Sequence, residues 1–269
     1  MMVTGKFPLL SQSFLVGKAA ALARSGARVT VMAMGRGESR HDFADLERDD
    51  RIRVQYLPPR DHSSRAIARM PLMTARAARR STADLRRLVQ ILRDRHPRPG
   101  AFSKHLYRTL PFVGERPDVL HFEFAGKASE LLALFDLLPC PKVVSCRGAD
   151  VSVQPLADPR AAELLREVLA KADRVHCVSH EILGEATRYG LDPAKAFVNH
   201  PSIDPEFFRP GEPTTTREGP PVVLSVGRLH WKKGYEYALQ AVRMLIDRGV
   251  DLRYRIIGEG PAEDCIRFA

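Results

Sequence analysis

From Asp118 onward, short apolar runs alternate with stretches whose apolar residues recur three and four apart. "DVLHFEF", "KVVSCRGAD", "DRVHCVS" and "AFVNHPSID" read as strands, each leaving through polar or turn-forming residues. "GKASELLALFDLL", "RAAELLREVLAKA" and "HEILGEATRYG" read as helices, the last stopped at Gly190. Strands alternating with helices predict a parallel sheet covered on both faces. The first part of the chain fits the same scheme. Met1 to Thr4 predicts the last residues of a strand, followed by the loop "GKFPLLSQS". A helix is expected from about Ser13 to Arg24, capped by Ser11 or Ser13 and ended at Gly26. "ARVTVMAMG" and "IRVQYLP" add two strands.

A polar, turn-rich stretch at 211–221, "GEPTTTREGPP", predicts a linker. After it the pattern starts afresh. "VVLSVGRLHWKKGYEYALQA" and "LRYRIIGEG" form one strand–loop–helix–strand unit. The expected organisation is a first domain over 1–210, a linker over 211–221 and an incomplete second domain over 222–269. After Pro221, 48 residues remain, against the ~150 that half of a doubly wound two-domain fold takes.

Charge alters this picture in one place. The net charge is +10, and Arg60 to Arg108 carries 13 Lys/Arg against 3 Asp/Glu; the remainder has 29 of each. Within that segment Leu85, Leu88, Val89 and Leu92 fall at helical spacing, flanked by Arg86, Arg87, Arg93 and Arg95. Pro71 is expected in the first turn of an earlier helix. A basic amphipathic helix suits either a solvated outer face or an anionic membrane surface. Phe102 and Tyr107 are the only aromatic residues there, which argues against nucleic acid as the partner. The four cysteines are scattered without zinc spacing, so free thiols are expected, with Cys146 and Cys177 packed in apolar strands. No apolar run reaches the roughly 20 residues of a membrane span, and no cleavable leader is evident. The cytoplasm is the default expectation, with peripheral attachment at the membrane's inner face.

No complete phosphate loop, full G-x-G-x-x-G, zincin or nucleophile-elbow motif occurs; "GRGES" and "GEGPAE" are partial only. What recurs is polar residues where predicted strands end: Gly5 and Lys6; His121 and Glu123; Arg147, Gly148 and Asp150; Ser179 and His180; Asn199 to Asp204; then Gly227, Arg228, Lys233, Gly258, Glu259 and Gly260. Taken singly, each has a bland explanation: a packed histidine, an Arg147–Asp150 pair, turn glycines, a solvated Lys232. Together they gather at the sheet edge where α/β folds bind ligands. Arg228 and Lys233, two cations beside glycine-opened backbone, suit a diphosphate and the charge it gains as a leaving group.

"SVGRLHWKKGYEYALQA" followed by "IIGEGP" resembles the start of the C-terminal domain of family 4 glycosyltransferases. The opening "GKFPLLSQSFLVGKAAALARSGARVTV" and the later "DVLHFEFAG", "RGADVS", "ADRVHCVSHEI" and "YGLDPAKAFVNHPSIDPEFFRP" are similar to that family in its order, especially to members that build bacterial exopolysaccharides. The resemblance implies a GT-B type α/β fold: a near-complete Rossmann-like N-terminal domain and the first β-α-β unit of a second. It implies sugar transfer with retention from a nucleotide-sugar to a polysaccharide or lipid-linked acceptor, with no metal cofactor. Arg228, Lys233, Gly5, Gly258 and Gly260 would then face the donor phosphates. His121 and Asp150 would be the catalytic candidates, and Glu123, Arg147 and Asn199 would line the acceptor side. Three departures stand out. The family's His-x-His is His121-Phe122-Glu123 here, its His-Gly-x-Asp is Arg147-Gly148-Ala149-Asp150, and Ser202 takes a glycine's place. Arg147 does not titrate, so it is no general base. The family's later Glu-x7-Glu segment does not occur. The alternative expectation is therefore a non-catalytic fragment that keeps an acceptor- or membrane-binding domain.

Overall fold

The computed structural model describes residues 1–37, 49–59, 64–203, 205–206, 208–211 and 219–268, with the backbone alone for 64–67. The chain divides into two compact units, Met1–Ser202 and Ile203–Ala269. The linker expected at 211–221 falls in the second, and its residues 212–218 lie outside the described residues, as do residues 38–48 and 60–63.

In the first unit, β1 (Met2–Phe7), α1 (Ser13–Arg24), β2 (Val29–Arg36) and β3 (Ile52–Tyr56) come first. The basic segment follows as α2 (Ser64–Arg80), α3 (Thr82–Arg95) and α4 (Pro99–Thr109). Then come β4 (Leu120–Phe122), α5 (Ala125–Glu130), α6 (Ala133–Leu137), β5 (Lys142–Cys146), α7 (Ala149–Ser152), α8 (Gln154–Ala157), α9 (Pro159–Lys171), β6 (Arg174–Cys177), α10 (His180–Arg188) and β7 (Ala196–Val198). The seven strands are parallel, in the order β3-β2-β1-β4-β5-β6-β7. The order turns back between β1 and β4, which opens a crevice at their carboxyl ends.

Each strand feeds two layers, because successive side chains leave on opposite faces. On one face Met2, Val29, Val31 and Ala33 pack against Leu15, Ala19 and Ala23 of α1. On the other, Val3, Met32, Phe122, Val144, Cys146 and Val175 meet Leu88, Leu92, Leu134 and Leu165. Cys140, Cys146 and Cys177 are buried free thiols and Cys265 an exposed one; the packing of Cys146 and Cys177 matches their place in apolar strands.

Several elements differ from the expectation. The first strand runs on to Phe7, because Lys6 and Phe7 pair with Gly35 and Arg36 of β2; Gly5 is therefore a strand residue. Neither Ser11 nor Ser13 caps α1: a 3-10 turn over Leu10–Gln12 leads into it, and Gln12 makes no capping bond. The helix does end at Gly26, whose amide bonds Ala23 O at 3.0 Å. "GKASELLALFDLL" breaks into two helices at Leu131 and Leu132, both buried; sinking both side chains outweighs unbroken helix. Pro71 lies inside α2 rather than in its first turn.

The basic segment thus forms three helices. Leu88 and Leu92 of α3 are buried and Leu85 packs against them. Part of its charge is consumed within the unit. Arg95 bonds both oxygens of Glu167 at 2.6 and 2.8 Å, Arg108 meets Glu130 at 3.0 Å, and Arg80 meets Glu115 at 3.3 Å. Arg69, Arg76, Arg79, Arg86, Arg87 and Arg93 are exposed.

The second unit holds β8 (Val222–Val226), α11 (Tyr235–Asp247), β9 (Arg253–Ile257) and the short α12 (Glu263–Phe268). β8 and β9 pair in parallel, from Val222↔Arg253 to Val226↔Ile257. Val223, Leu224, Val226 and Ile257 are exposed, so this two-stranded sheet buries little of its apolar surface.

Phe122 is fully buried in β4, its ring stacked 5.2 Å from Phe135. Phe122→Ala is expected to destabilise the first unit by about 3–5 kcal/mol, read from the denaturant midpoint at unchanged slope.

Candidate functional site

Glu123 follows β4 at the crevice, and its side chain is 0% exposed. Two elements converge on it. Lys18, from the middle of α1, reaches Oε1 with Nζ at 2.6 Å. Arg147, just past β5, donates from Nη2 to Oε2 at 2.8 Å and from Nε to the Glu123 carbonyl at 2.9 Å. The Arg147 guanidinium lies 4.4 Å from the Phe14 ring centre and 5.8 Å from that of Phe124, a flat ion between aromatic faces. Burial pushes the Glu123 carboxyl up, but His121, Lys18 and Arg147 outweigh it and its pKa falls below the ordinary value. Burial lowers that of Lys18, against the pull of Glu123.

His121 alternates with Phe122, so it leaves the sheet on the face opposite the large core. Its Nδ1 is 2.9 Å from Lys18 Nζ and its Nε2 is 2.9 Å from Ser145 Oγ. Ser145 Oγ is in turn 2.9 Å from His176 Nδ1, and His176 Nε2 is 2.9 Å from the carbonyl oxygen of Asn199. Burial drives the His121 pKa from 6.5 to about 4, with Lys18, His176 and Arg147 adding to the fall and Glu123 opposing it. Burial lowers His176 as well. Both imidazoles are neutral at neutral pH.

Asp150 is committed to backbone. One oxygen accepts from Arg147 N at 3.1 Å and Gly148 N at 3.0 Å, the other from Ala125 N at 3.0 Å. It ties the start of α5 to the loop after β5. Gly148 makes this possible with φ +138, a conformation that side chains disfavour. Burial raises the Asp150 pKa against these hydrogen bonds. Beyond it lies a cavity of about 300 Å3, bordered by His105, Gly126, Glu130, Gln154 and Asp158.

Four of the residues singled out from sequence in the first unit, Glu123, His121, Arg147 and Asn199, therefore join one network, with Asp150 bonded to the Arg147 amide. Asn199 enters through its backbone; its side chain is exposed. Gly5, within β1, has Lys127 Cε as its nearest neighbour, 3.7 Å from where a Cβ would stand. Lys18, Ser145 and His176 were not anticipated. Their signal was present: Lys18 interrupts an otherwise small and apolar helix, and "VSC" and "VHC" each place one polar residue before the closing cysteine of an apolar strand. Ser145 pairs in register with His176, and Cys146 with Cys177.

In the second unit the loops after β8 and β9 are laced together. Gly227 N bonds Ile257 O at 3.0 Å, Leu229 N bonds Glu259 O at 2.9 Å and Ala262 N bonds Leu229 O at 3.0 Å. This approach requires glycine: a Cβ on Gly258 would fall 1.8 Å from Gly227 O, and one on Gly260 2.3 Å from Leu229 O. Arg228 and Lys233 both stand exposed, with no ion-pair partner among the described residues. Lys233 directly precedes the amino end of α11, where Gly234 takes φ +66, and Arg228 follows Gly227 at the end of β8. Gly258 and Gly260 thus shape the loop that carries the two cations.

Residues 13–207 match the sequence profile of Glycosyltransferase Family 4, and residues 211–268 that of the group 1 glycosyl transferases. The chain belongs to glycosyltransferase family 4. The protein WcaL of Escherichia coli strain K12, named for colanic acid biosynthesis, is 26% identical over 272 residues, covering 97% of this chain and 64% of WcaL. The amylovoran biosynthesis glycosyltransferase AmsK of Erwinia amylovora is 26% identical over 276 residues, covering 99% of this chain and 65% of AmsK. The chain thus spans just under two thirds of the length of these relatives. Among solved structures, Anabaena Alr3699/HepE in complex with UDP and glucose superimposes with a TM-score of 0.59 at 13% identity, over 99% of this chain and 64% of that one. Sucrose-phosphate synthase from Thermosynechococcus elongatus gives 0.56 at 13% identity, over 96% and 62%. These likenesses show the fold: α/β, with GT-B glycosyltransferases as neighbours. Among the described residues, no helix is long and apolar enough to cross a membrane.

The site sets a pH dependence of stability. His121 gives up its proton more readily in the fold than in the unfolded chain, so the unfolded chain binds more protons between pH 6.5 and about 4. Stability should fall as pH drops through that window. Glu123, ionised in the fold below its ordinary value of 4.5, adds a further loss on more acid titration. Denaturant titrations in steps from pH 7 to pH 4 measure the slope, and His121→Gln should flatten it.

Proposed function

We propose that this chain is the acceptor-binding and phosphate-gripping part of a glycosyltransferase that moves a sugar from a nucleotide-sugar to a polysaccharide or lipid-linked acceptor, with retention at the sugar carbon, in bacterial exopolysaccharide assembly. The observation that carries the reading is the loop after β8. Arg228 and Lys233 are exposed there without an ion-pair partner among the described residues, beside glycine-thinned backbone and the amino end of a 13-residue helix. Two fixed cations and a helix amino end suit a diphosphate both bound and departing. That charge balance falls to the protein's own cations, so the reading calls for no metal.

In the first unit, Arg147 and Lys18 offer the acceptor side two cations, with a neutral His121 held beside them. Neither Glu123 nor Asp150 is a free nucleophile in this reading, since each is engaged by its neighbours. Retention rests on the family relationship alone.

Isothermal titration with UDP- and GDP-sugars tests the donor side. Saturable binding of one of them is expected, weakened at least about tenfold by Arg228→Ala or Lys233→Ala. Binding that both variants leave unchanged would sink the assignment of the grip and favour a domain that holds acceptor or membrane alone.

The exposed arginines of α2 and α3 support a second element of the proposal, peripheral contact with an anionic membrane surface. Among the described residues, six of these guanidinium groups are exposed outside any ion pair; at roughly 1 kcal/mol each near such a surface, they are enough for reversible docking. Binding to vesicles rich in anionic lipid, falling steeply with added salt and absent with duplex DNA, is the expected result of a sedimentation assay.

A further inference from the structure

The row Lys18–His121–Ser145–His176–Asn199 has only one way to place its protons. At one end an ammonium can only donate, so His121 Nδ1, 2.9 Å from Lys18 Nζ, must carry a lone pair. At the other end a carbonyl can only accept, so His176 Nε2, 2.9 Å from Asn199 O, must carry a proton. Two neutral imidazoles then leave a single arrangement between them. His121 Nε2–H donates to Ser145 Oγ, and the Ser145 hydroxyl donates to His176 Nδ1. Ser145 is 0% exposed and His176 nearly so, so water has little part in this row.

This arrangement uses both nitrogens of His121 and leaves it unable to accept a further proton without breaking the row. It does not exhaust Lys18. Of three ammonium N–H groups, one is held by His121 Nδ1 and one by Glu123 Oε1. The side chain is 28% exposed and Arg147 14%, and the third N–H has no hydrogen-bond partner among the described residues. The cluster of Lys18, Arg147, Glu123 and neutral His121 carries one positive charge in excess.

We propose that Lys18 is the ligand-contacting group of this crevice, taking an anionic oxygen of phosphate or carboxylate, and that His121, Ser145 and His176 are positioning residues that aim it. Such oxygens come from the phosphate of a donor or lipid carrier, or from an acidic sugar of the acceptor. The inference deepens the sugar-transfer reading but stands apart from it. Transfer without anion contact at Lys18 overturns only this inference. Anion contact without donor binding at the Arg228 loop leaves it standing and overturns the other.

Side-chain NMR of the full chain tests it. The nitrogen signals of His121 and His176 are expected to show Nε2–H and an unprotonated Nδ1 in both rings at neutral pH. Inorganic phosphate and D-glucuronate are then titrated separately, with D-glucose as the neutral control. A saturable shift of the Lys18 Cε signal with either anion, and none with glucose, is expected. Phosphate alone would point to the donor or carrier, glucuronate alone to an acidic acceptor. Lys18→Met should lower affinity for the active probe at least about tenfold and raise the His121 pKa. Ser145→Ala should alter the Lys18 response while Ser145→Thr, which keeps the hydroxyl, restores it. A proton on His121 Nδ1, or a Lys18 signal that neither anion moves, overturns the proposal from the unmodified chain alone, whether or not a variant folds.

Discussion

A buried carboxylate with two cationic partners governs the first unit. Glu123 has no exposure to water, and an isolated ion there would cost several kcal/mol to desolvate. Lys18 and Arg147 offset that cost, and in doing so they add side-chain links between α1 and the ends of two neighbouring strands, β4 and β5. Lys18 comes from the helix between β1 and β2, Glu123 from the end of β4, Arg147 from the end of β5. They meet where the strand order turns back, so one ionic clamp defines the floor of the crevice. Burial keeps a proton off His121; Glu123 opposes this, and the two cations of the clamp add to it.

Two of the three departures from the family pattern gain a physical sense here. Glu123 stands where many members have histidine, and so does Arg147. Without Glu123 the Arg147 guanidinium would lose its carboxylate, and without Arg147 the buried Glu123 would keep Lys18 alone. Together they bond at 2.8 Å, and Lys18 supplies the second cation. The second unit positions its loops by a different route. Backbone meets backbone directly, and Gly258 and Gly260 remove the side chains that would keep the loops apart. Arg228 and Lys233 are then carried on a loop laced to its neighbour by three main-chain hydrogen bonds.

The alternation of strands and helices was legible because period and punctuation are local properties. The helix from Ser13 to Arg24, its stop at Gly26 and the strand–loop–helix–strand unit after Val222 all followed from it. What the pattern misplaced were features decided by distant contacts. β1 is longer than its apolar residues suggest because β2 pairs with it through Phe7. Leu131 and Leu132 break a helix because the core takes both. The strand ends pointed to His121, Glu123, Arg147 and Asp150, but not to how they divide the work. Lys18 is more than a hundred residues from Glu123 in the chain, and no spacing rule links them. Ser145 and His176 looked like polar blemishes in apolar strands until the register placed them opposite each other.

The coupling between Glu123 and Arg147 is the most direct measure of this account. A double-mutant cycle with Glu123→Gln, Arg147→Gln and the pair, read from denaturant unfolding, isolates it. The account predicts that each single change is costly and that the double change costs less than their sum by about 1–3 kcal/mol. Strict additivity would show that the two charges are stabilised independently, and the clamp would not be what holds the crevice together.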